Sequence, residues 1–462
     1  MPRLLISAAH KSSGKTTLTL GLCAALVARG LTVQPFKKGP DYIDPLWLSQ
    51  AAHRPCHNLD FYTMSAAEIV ANVMRFTKET DLAIIEGNHG LHDGLDVAGS
   101  DSTAALAKLL KTPVILILDT QGVTRGIAPL LLGYQIFDKE LTIAGVILNQ
   151  VAGQRHESKL RAAINCYTDL PVIGAIPRDT RLTIVERHLG LMPSNEDCQA
   201  HTKITAIAAI IAEHLDLKQL FTLAQTAGTL SVTDSEPSYT EVALGPSPVT
   251  IGVLRDAAFG FYYPGDLVAL QAAGARLVFI NALQDTQLPK IDALFIGGGF
   301  PETQMETLAR NISLKTDIHQ AIEQGLPVYA ECGGLMYLAR QLTWNGTTCD
   351  MVGALPCDTI MEARPQGRGY VHLRETGHGL WPLRDATGQL AEFHAHEFHH
   401  SRVVNLPTDF HYAYQVLRGT GLNGEWDGLV YKNTLASYAH LRDVATNHWT
   451  QRFVEFIRRH PF

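Results

Sequence analysis

Two stretches of this 462-residue sequence carry residue types whose spacing could do chemistry. The first is Ser12-Ser13-Gly14-Lys15-Thr16-Thr17, which follows an apolar run at 4–6 and opens a helical pattern at 18–26. Strand, tight turn and helix with Gly-Lys-Thr at the bend form a phosphate-binding geometry. Backbone N–H groups face the anion, Lys15 reaches the β/γ-phosphates, and Thr16 can hold Mg²⁺. The full Walker pattern has a glycine five residues before Gly14, where this chain has Ala9. A Ser/Gly helix cap that binds nothing is the plainer alternative. The second stretch is Glu331-Cys332-Gly333-Gly334, where an apolar run ends and a helical pattern begins. That is the logic of a nucleophile elbow: a sharp turn exposes the sulfur, and the helix N-terminus lowers the thiol pKa and offers N–H groups to an oxyanion. A buried core cysteine is the alternative. A thiolate nucleophile wants an imidazole, and candidates stand at His394, His396, His399, His400 and His440.

The elements that must position these groups are legible as an alternation. Apolar runs at 4–6, 33–36, 82–85, 114–118, 143–148 and 172–176 are separated by helical patterns such as 66–78, 102–110 and 127–137. Near-continuous apolar strands between helices predict a parallel sheet with helices on both faces, which places ligands at the carboxyl ends of the strands. Those ends carry Lys37-Lys38-Gly39-Pro40-Asp41-Tyr42-Ile43-Asp44-Pro45, Glu86-Gly87-Asn88-His89-Gly90-Leu91-His92-Asp93-Gly94, Asp119 and Asn149. Carboxylates gathered at one edge beside a phosphate loop supply the hard oxygen ligands that a magnesium nucleotide needs. A Ser/Thr/Pro/Gly-rich stretch at 223–247 reads as a linker, giving domains 1–222 and 248–462. A second α/β alternation follows, with strands expected near 249–254, 277–280, 293–296, 327–330 and 434–438.

Bulk properties set the class. A chain of this length holds two or three cores. With 46% hydrophobic and 18% charged residues it is an ordinary globular composition, and a net charge of −7 gives no basic footprint for nucleic acid. No apolar stretch approaches the roughly 18 residues that cross a membrane, and the N-terminal run reads as a strand rather than a targeting segment. Seven scattered cysteines with no Cys-x-x-Cys pair suit reduced thiols and a cytoplasmic location.

Taken in order, these motifs resemble the cobyrinic acid a,c-diamide synthase family. The matching stretches are Ser13-Gly14-Lys15-Thr16-Thr17, the segment 35–45, Asn58-Leu59-Asp60, Glu86-Gly87 through Asp93-Gly94, Gly298-Gly299-Phe300-Pro301-Glu302, Glu331-Cys332-Gly333-Gly334, His396-Glu397-Phe398-His399 and Ala436-Ser437-Tyr438-Ala439-His440. The resemblance implies an N-terminal P-loop-type ATP-dependent amidoligase domain fused to a C-terminal class I glutamine amidotransferase-like α/β domain. It implies that Cys332 attacks glutamine with His440 as its base, and that Gly298, Gly299 and Gly333 serve the oxyanion and glutamine. No third member of the Cys/His pair is assigned. Ser13, Gly14, Lys15, Thr16, Thr17 and Asn149 are implied for the nucleotide, and Thr16, Asp41 and Glu86 for Mg²⁺. Lys38, Asp41, Tyr42, Ile43, Asp44, Glu86 and Asp93 are implied for the substrate and its acyl phosphate. ATP and Mg²⁺ are the implied cofactors, with L-glutamine and a carboxylated tetrapyrrole as partners. A homodimer is compatible with these features.

The family segment usually reads Glu-Gly-Val-Met-Gly before two aromatics and Asp-Gly, whereas here Asn88, His89, Leu91 and His92 stand within it. His10-Lys11 before the phosphate loop and the segment 124–129 also depart. These departures resemble the branch found beside dissimilatory sulfite reductases, for which the implied substrate is sirohaem or sirohydrochlorin. Two other readings stand beside this one: within the same enzyme class, a relative amidating another tetrapyrrole carboxylate, and, in a different class, a non-catalytic P-loop ATPase switch. The switch predicts loss of the cysteine or its histidine, and both Cys332 and His440 are present. Two half-reactions in separate domains also lead to the expectation that their strand-end edges face each other, so that ammonia passes between them.

Overall fold

The computed structural model describes residues 1–187, 190–231 and 248–462. Contacts divide the chain into two compact units, Met1–Glu236 and Pro237–Phe462. The first is built on seven parallel strands: β1 (Arg3–Ala8), β2 (Val33–Lys38), β3 (His57–Leu59), β4 (Leu82–Glu86), β5 (Val114–Asp119), β6 (Ile143–Val151) and β7 (Val172–Pro177). Their spatial order is β3-β2-β4-β1-β5-β6-β7. Every residue of β1, β2 and β4 is buried, which is why their apolar residues cluster, as at 4–6 and 82–85, rather than alternate. Leu4, Ile6 and Ala8 pack against helices α1 (Lys15–Val27), α2 (Ile43–Ala52), α7 (Ala200–His214) and α8 (Leu217–Ala224). Leu5 and Ser7 are equally buried on the opposite face. Each fully buried aliphatic side chain of this kind contributes about 1.5–3 kcal/mol.

The remaining helices of this unit are α3 (Ala66–Phe76), α4 (Thr103–Leu109), α5 (Ile127–Phe137) and α6 (Gln154–Tyr167), and a two-residue pair β8 (Glu186–Arg187) and β9 (Gly190–Leu191) adds a small ladder. Ser65 and Ser102 cap α3 and α4 by accepting from the Glu68 and Ala105 N–H groups. Because β1 lies between β4 and β5, the loop leaving it sits where the strand order reverses, the place where open α/β sheets bind ligands. Helix α8 runs through Ala224, two residues into the stretch read as a linker, and residues 232–247 of that stretch lie outside the described residues.

The second unit carries a nine-stranded mixed sheet. Its parallel part is β10 (Val249–Leu254), β11 (Ala275–Ile280), β12 (Ala293–Ile296), β13 (Val328–Glu331) and β22 (Thr434–Ser437). An antiparallel part adds β17 (Gly367–Glu375), β18 (Glu392–His399), β20 (His411–Arg418) and β21 (Trp426–Tyr431), in the overall order β11-β10-β12-β13-β22-β21-β20-β17-β18. A smaller sheet contains β14 (Gln341–Trp344), β15 (Thr347–Asp350), β16 (Asp358–Met361) and β19 (Ser401–Val404). Helices α9 (Pro264–Ala272), α10 (Met305–Arg310), α11 (Ile312–Glu323), α12 (Gly333–Leu338) and α13 (Trp449–Arg459) complete it. The antiparallel extension matters because β18 runs past the carboxyl ends of β13 and β22. Among the described residues no helix is long and apolar enough to cross a membrane.

Candidate active sites

In the first unit the phosphate loop joins β1 to α1. Gly14 caps α1 with φ 86°, a left-handed conformation that favours glycine. A Cβ there would also run into the Asn149 side-chain amide. That amide donates to the Ser13 carbonyl at 2.9 Å, while the Ser13 hydroxyl donates to the His10 carbonyl at 2.8 Å. Asn149, implied for the nucleotide, therefore holds the loop in this structure. Thr17 follows on the first turn of α1, half-buried.

Behind the loop stands a buried charge cluster. Lys37 Nζ lies 2.6 Å from Asp44 Oδ2 and 2.5 Å from Glu86 Oε1, with Asp41 Oδ2 at 3.8 Å. Thr16 Oγ1 lies 3.1 Å from the same Asp44 oxygen and 3.0 Å from the same Glu86 oxygen. Lys37 and Glu86 are register partners on β2 and β4, so sheet pairing sets their approach. Burial opposes the Lys37 charge, but Asp44, Glu86 and Asp41 together hold its ammonium well above the usual range. Burial likewise opposes ionisation of Asp44, yet Lys37 keeps that carboxyl below its ordinary value. Burial pushes Glu86 up to about 6 against the pull of Lys37. Burial and the Asp44 charge push Asp41 up to about 8, although its side chain keeps 28% exposure and solvent moderates that shift.

Of the two aspartates in the 41–44 segment, the one beside Thr16, together with Glu86, is thus Asp44. Asp41 instead turns Oδ1 to the Ile43 and Asp44 N–H groups at 2.9 and 3.3 Å, fixing the start of α2. The turn before it is held by Asn58, whose amide donates to the Gly39 and Asp41 carbonyls at 2.8 and 2.7 Å. Tyr42 is buried at the N-cap of α2 and Ile43 begins the helix. Glu86 Oε2 is buried with no hydrogen-bond partner among the described residues, an oxygen that fits a cation's coordination shell. The described residues hold no cluster of three His, Cys, Asp or Glu able to enclose a metal. A magnesium shared among phosphates, one hydroxyl and one or two carboxylates needs none. Lys38 is buried 4.0 Å from Asp101, and burial lowers the pKa of Lys15, Lys38 and His89. Asp93 is exposed and accepts from the Gly90 N–H at 2.9 Å, while Leu91 N–H donates to Ala8 O at 2.9 Å, tying this turn to the phosphate loop.

In the second unit β13 and β22 pair in parallel, with Glu331 opposite Ser437. Cys332 follows with φ 47° and ψ −98°, a strained backbone for a residue with a Cβ. Its N–H donates to the Ser437 carbonyl at 2.7 Å, and its sulfur lies 3.8 Å from the Phe398 carbonyl of β18. A Cβ on Gly334 would overlap the Ile296 carbonyl, so the elbow closes only with glycine there. The Gly298 and Gly299 loop packs against the elbow: a Cβ on Gly333 would lie 3.0 Å from Gly299 N, and one on Gly298 would lie 2.6 Å from His440 Cε1 and 3.3 Å from Nε2. Cys332, His440, Gly298, Gly299 and Gly333 are therefore brought together.

The expected lowering of the thiol pKa by the helix is overturned. Burial, followed by the Glu302 charge, pushes Cys332 up, and the single N–H of Gly333 opposes this only in part. Six-residue α12 is too short to compensate. Deprotonation thus needs a base. His440 sits at the end of β22, exchanging backbone hydrogen bonds with His396 of β18. Burial pushes His396 down to about 3, leaving it neutral. The other cluster members are structural: Glu397 accepts from the Thr420 and Gly421 N–H groups, and the His399 ring stacks on Tyr438 at 3.7 Å. Lys37, Glu331 and Asp427 were not singled out from the sequence as site residues. Asp427 accepts from the Tyr438 and Ala439 N–H groups at 3.0 and 2.9 Å and so fixes the segment leading into His440. Adjacency of Glu331 to Cys332 was the one signal available; nothing near Asp427 gave any.

Comparison with known proteins matches two domain families along the chain. Residues 5–191 match the CobQ/CobB/MinD/ParA nucleotide binding domain, and residues 250–446 match the CobB/CobQ-like glutamine amidotransferase domain. A cobyrinate a,c-diamide synthase of Magnetococcus marinus is 46% identical over 460 residues, covering 99% of this chain and 97% of that one. Those of Methanosarcina acetivorans and Archaeoglobus fulgidus are 40% and 38% identical, covering 98% of this chain and 95% and 97% of theirs. Full-length likeness of this order, with both domain models in sequence, makes the protein an ATP-dependent, glutamine-hydrolysing amidoligase. The chain belongs to the cobyrinate a,c-diamide synthase family.

Proposed function

We propose that this enzyme converts the a and c acetate carboxylates of a tetrapyrrole to carboxamides, taking nitrogen from glutamine and activating each carboxylate with ATP. In the second unit His440 takes the Cys332 proton as sulfur attacks the glutamine amide carbon. The tetrahedral oxyanion rests against backbone N–H groups of the Gly299 and Gly333 region. The C–N bond breaks, ammonia leaves with the proton returned by His440, and water hydrolyses the thioester to glutamate. In the first unit a substrate carboxylate oxygen attacks the γ-phosphorus of ATP and ADP leaves. Ammonia then attacks the acyl carbon and phosphate departs. Lys15 steadies the transferring phosphoryl group, and Asn149 keeps the loop in shape. Thr16, Asp44 and Glu86, with Asp41 at the margin, would hold Mg²⁺, which supplies neutralisation of phosphate charge.

The observation that carries this reading is the pairing of a Thr16–Asp44–Glu86 cluster behind a phosphate loop with a Cys332 elbow in one chain. A macrocyclic substrate is supported by an apolar cavity of about 390 Å³ lined by His92, Pro129, Leu130, Gly133, Tyr134 and Phe137, one residue from Asp93. His92 Nε2 has no hydrogen-bond partner among the described residues, and its ring packs on Tyr134 and Phe137. The imidazoles of His89 and His92 are hydrogen-bond donors suited to the carboxylates of either macrocycle, so a siro-type ring stands as a second reading within the same chemistry. All seven cysteines are free, in keeping with a cytoplasmic enzyme. Incubation with ATP, Mg²⁺ and glutamine on cobyrinic acid and sirohaem side by side, read by mass spectrometry, tests the assignment. Each OH-to-NH₂ exchange lowers the mass by about one unit. Amidation of one macrocycle fixes the substrate, and reaction of neither overturns the reading.

A further inference from the structure

We infer that Glu331 is the positioning residue of His440, so that the glutaminase works as a Cys332–His440–Glu331 unit whose acid immediately precedes its nucleophile. The inference rests on the proposed roles of Cys332 and His440 and adds a member to them. Glu331 ends β13 and is 3% exposed. Its two oxygens act on His440 from different sides. Oε1 accepts from the Leu441 N–H at 2.8 Å and from the Tyr329 hydroxyl at 2.6 Å, clamping the main chain next to the imidazole. Oε2 lies 3.3 Å from His440 Nδ1, an ion-pair approach that falls outside hydrogen-bond geometry in this structure. A buried carboxylate so placed draws the ring proton to Nδ1. The lone pair is then left on Nε2, at the ring edge that stands over Gly298. It also stabilises the imidazolium formed when the Cys332 proton arrives.

Three neighbouring groups are engaged differently. His396 meets it through the backbone and is neutral, Asp427 spends its oxygens on backbone N–H groups, and Arg442 packs over the Tyr263 ring. The arrangement follows from topology. A parallel β13–β22 pair puts the residue before the nucleophile level with Ser437, three positions from the base.

The test is glutamate release by the full chain with MgATP and cobyrinic acid, comparing Glu331→Gln, Glu331→Asp, Cys332→Ser and His440→Gln. Glu331→Gln keeps the size of the side chain and an oxygen for Leu441 and Tyr329 but loses the charge at Nδ1. It is expected to lower kcat on the order of 10²–10³-fold with little change in KM for glutamine. Amidation driven by ammonium chloride should be retained. Glu331→Asp should recover part of the loss. A Glu331→Gln enzyme with wild-type glutaminase kcat, beside inactive Cys332→Ser and His440→Gln enzymes, overturns the inference and leaves the Cys/His reading standing. An active Cys332→Ser enzyme overturns that reading itself. If Glu331→Gln loses its fold, Glu331→Asp decides: an intermediate kcat with unchanged KM supports positioning, and an unchanged kcat refutes it.

Discussion

Replacing Lys37 by methionine removes the ammonium that meets Asp44 at 2.6 Å and Glu86 at 2.5 Å while keeping the volume of the side chain. Two carboxylates, one wholly buried, then face each other behind the phosphate loop without a compensating charge. Breaking a buried ion pair from one side costs about 3–5 kcal/mol. For a unit the size of Met1–Glu236 that lowers the unfolding midpoint by about 6–20 °C near pH 8. The pH dependence has a definite sign. Lys37 now restrains the upward shift of Glu86 and holds Asp44 down. Without it both folded-state carboxyls rise above their unfolded values. A raised acid binds protons more readily in the folded than in the unfolded state, so stability falls as pH rises. The deficit of Lys37→Met should therefore shrink between pH 8 and pH 5, and added Mg²⁺ should recover part of it at pH 8. Thermal unfolding of wild type and variant at both pH values reads this directly. A variant as stable as wild type at pH 8, or one whose deficit grows on acidification, refutes the assignment of Lys37 as the internal counter-ion.

Three further outcomes follow from the same geometry. Glu86→Gln removes the unpartnered anionic oxygen and should cut MgATP-dependent ADP formation by about 10²-fold or more while glutamate release persists; unchanged ADP formation contradicts the metal-site reading. Gly14→Ala forces a Cβ into a left-handed position and against Asn149, costing about 1–2 kcal/mol and abolishing ATP binding by calorimetry. Burial of Cys332 keeps it a thiol, so its alkylation by iodoacetamide, followed peptide by peptide, should be slow at pH 8 and keep rising above the ordinary thiol range. Fast labelling at neutral pH would instead reveal a preformed thiolate.

What the sequence disclosed and what it hid divide along physical lines. The six long strands of the first sheet are buried on both faces, and their apolar runs stand out in the sequence; β3, with three residues, is too short to make such a run. Strand β2 extends through Lys37 and Lys38 because their charges find partners at the ligand edge, which an apolar pattern does not show. The antiparallel strands β17 and β18 do alternate in burial, but Glu375, Glu397 and His399 stand at buried positions and β20 alternates only loosely, so this half of the second sheet left little trace in the apolar pattern. The phosphate loop and the elbow were visible because glycine is demanded by backbone conformation and close approach. Partnerships such as Lys37 with Glu86, or Glu331 with His440, depend on strand register, which one sequence does not encode locally.

The account stands most directly on transfer of nitrogen from glutamine to an ATP-activated carboxylate. Glutamine labelled with heavy nitrogen in its side-chain amide, supplied with MgATP and cobyrinic acid or sirohaem, should give a product whose new carboxamides carry the label, with ADP and phosphate formed in step. Cys332→Ser should lose this incorporation yet accept labelled ammonium. Carboxamides that stay unlabelled with glutamine, or label that reaches the product without ATP, would contradict the account.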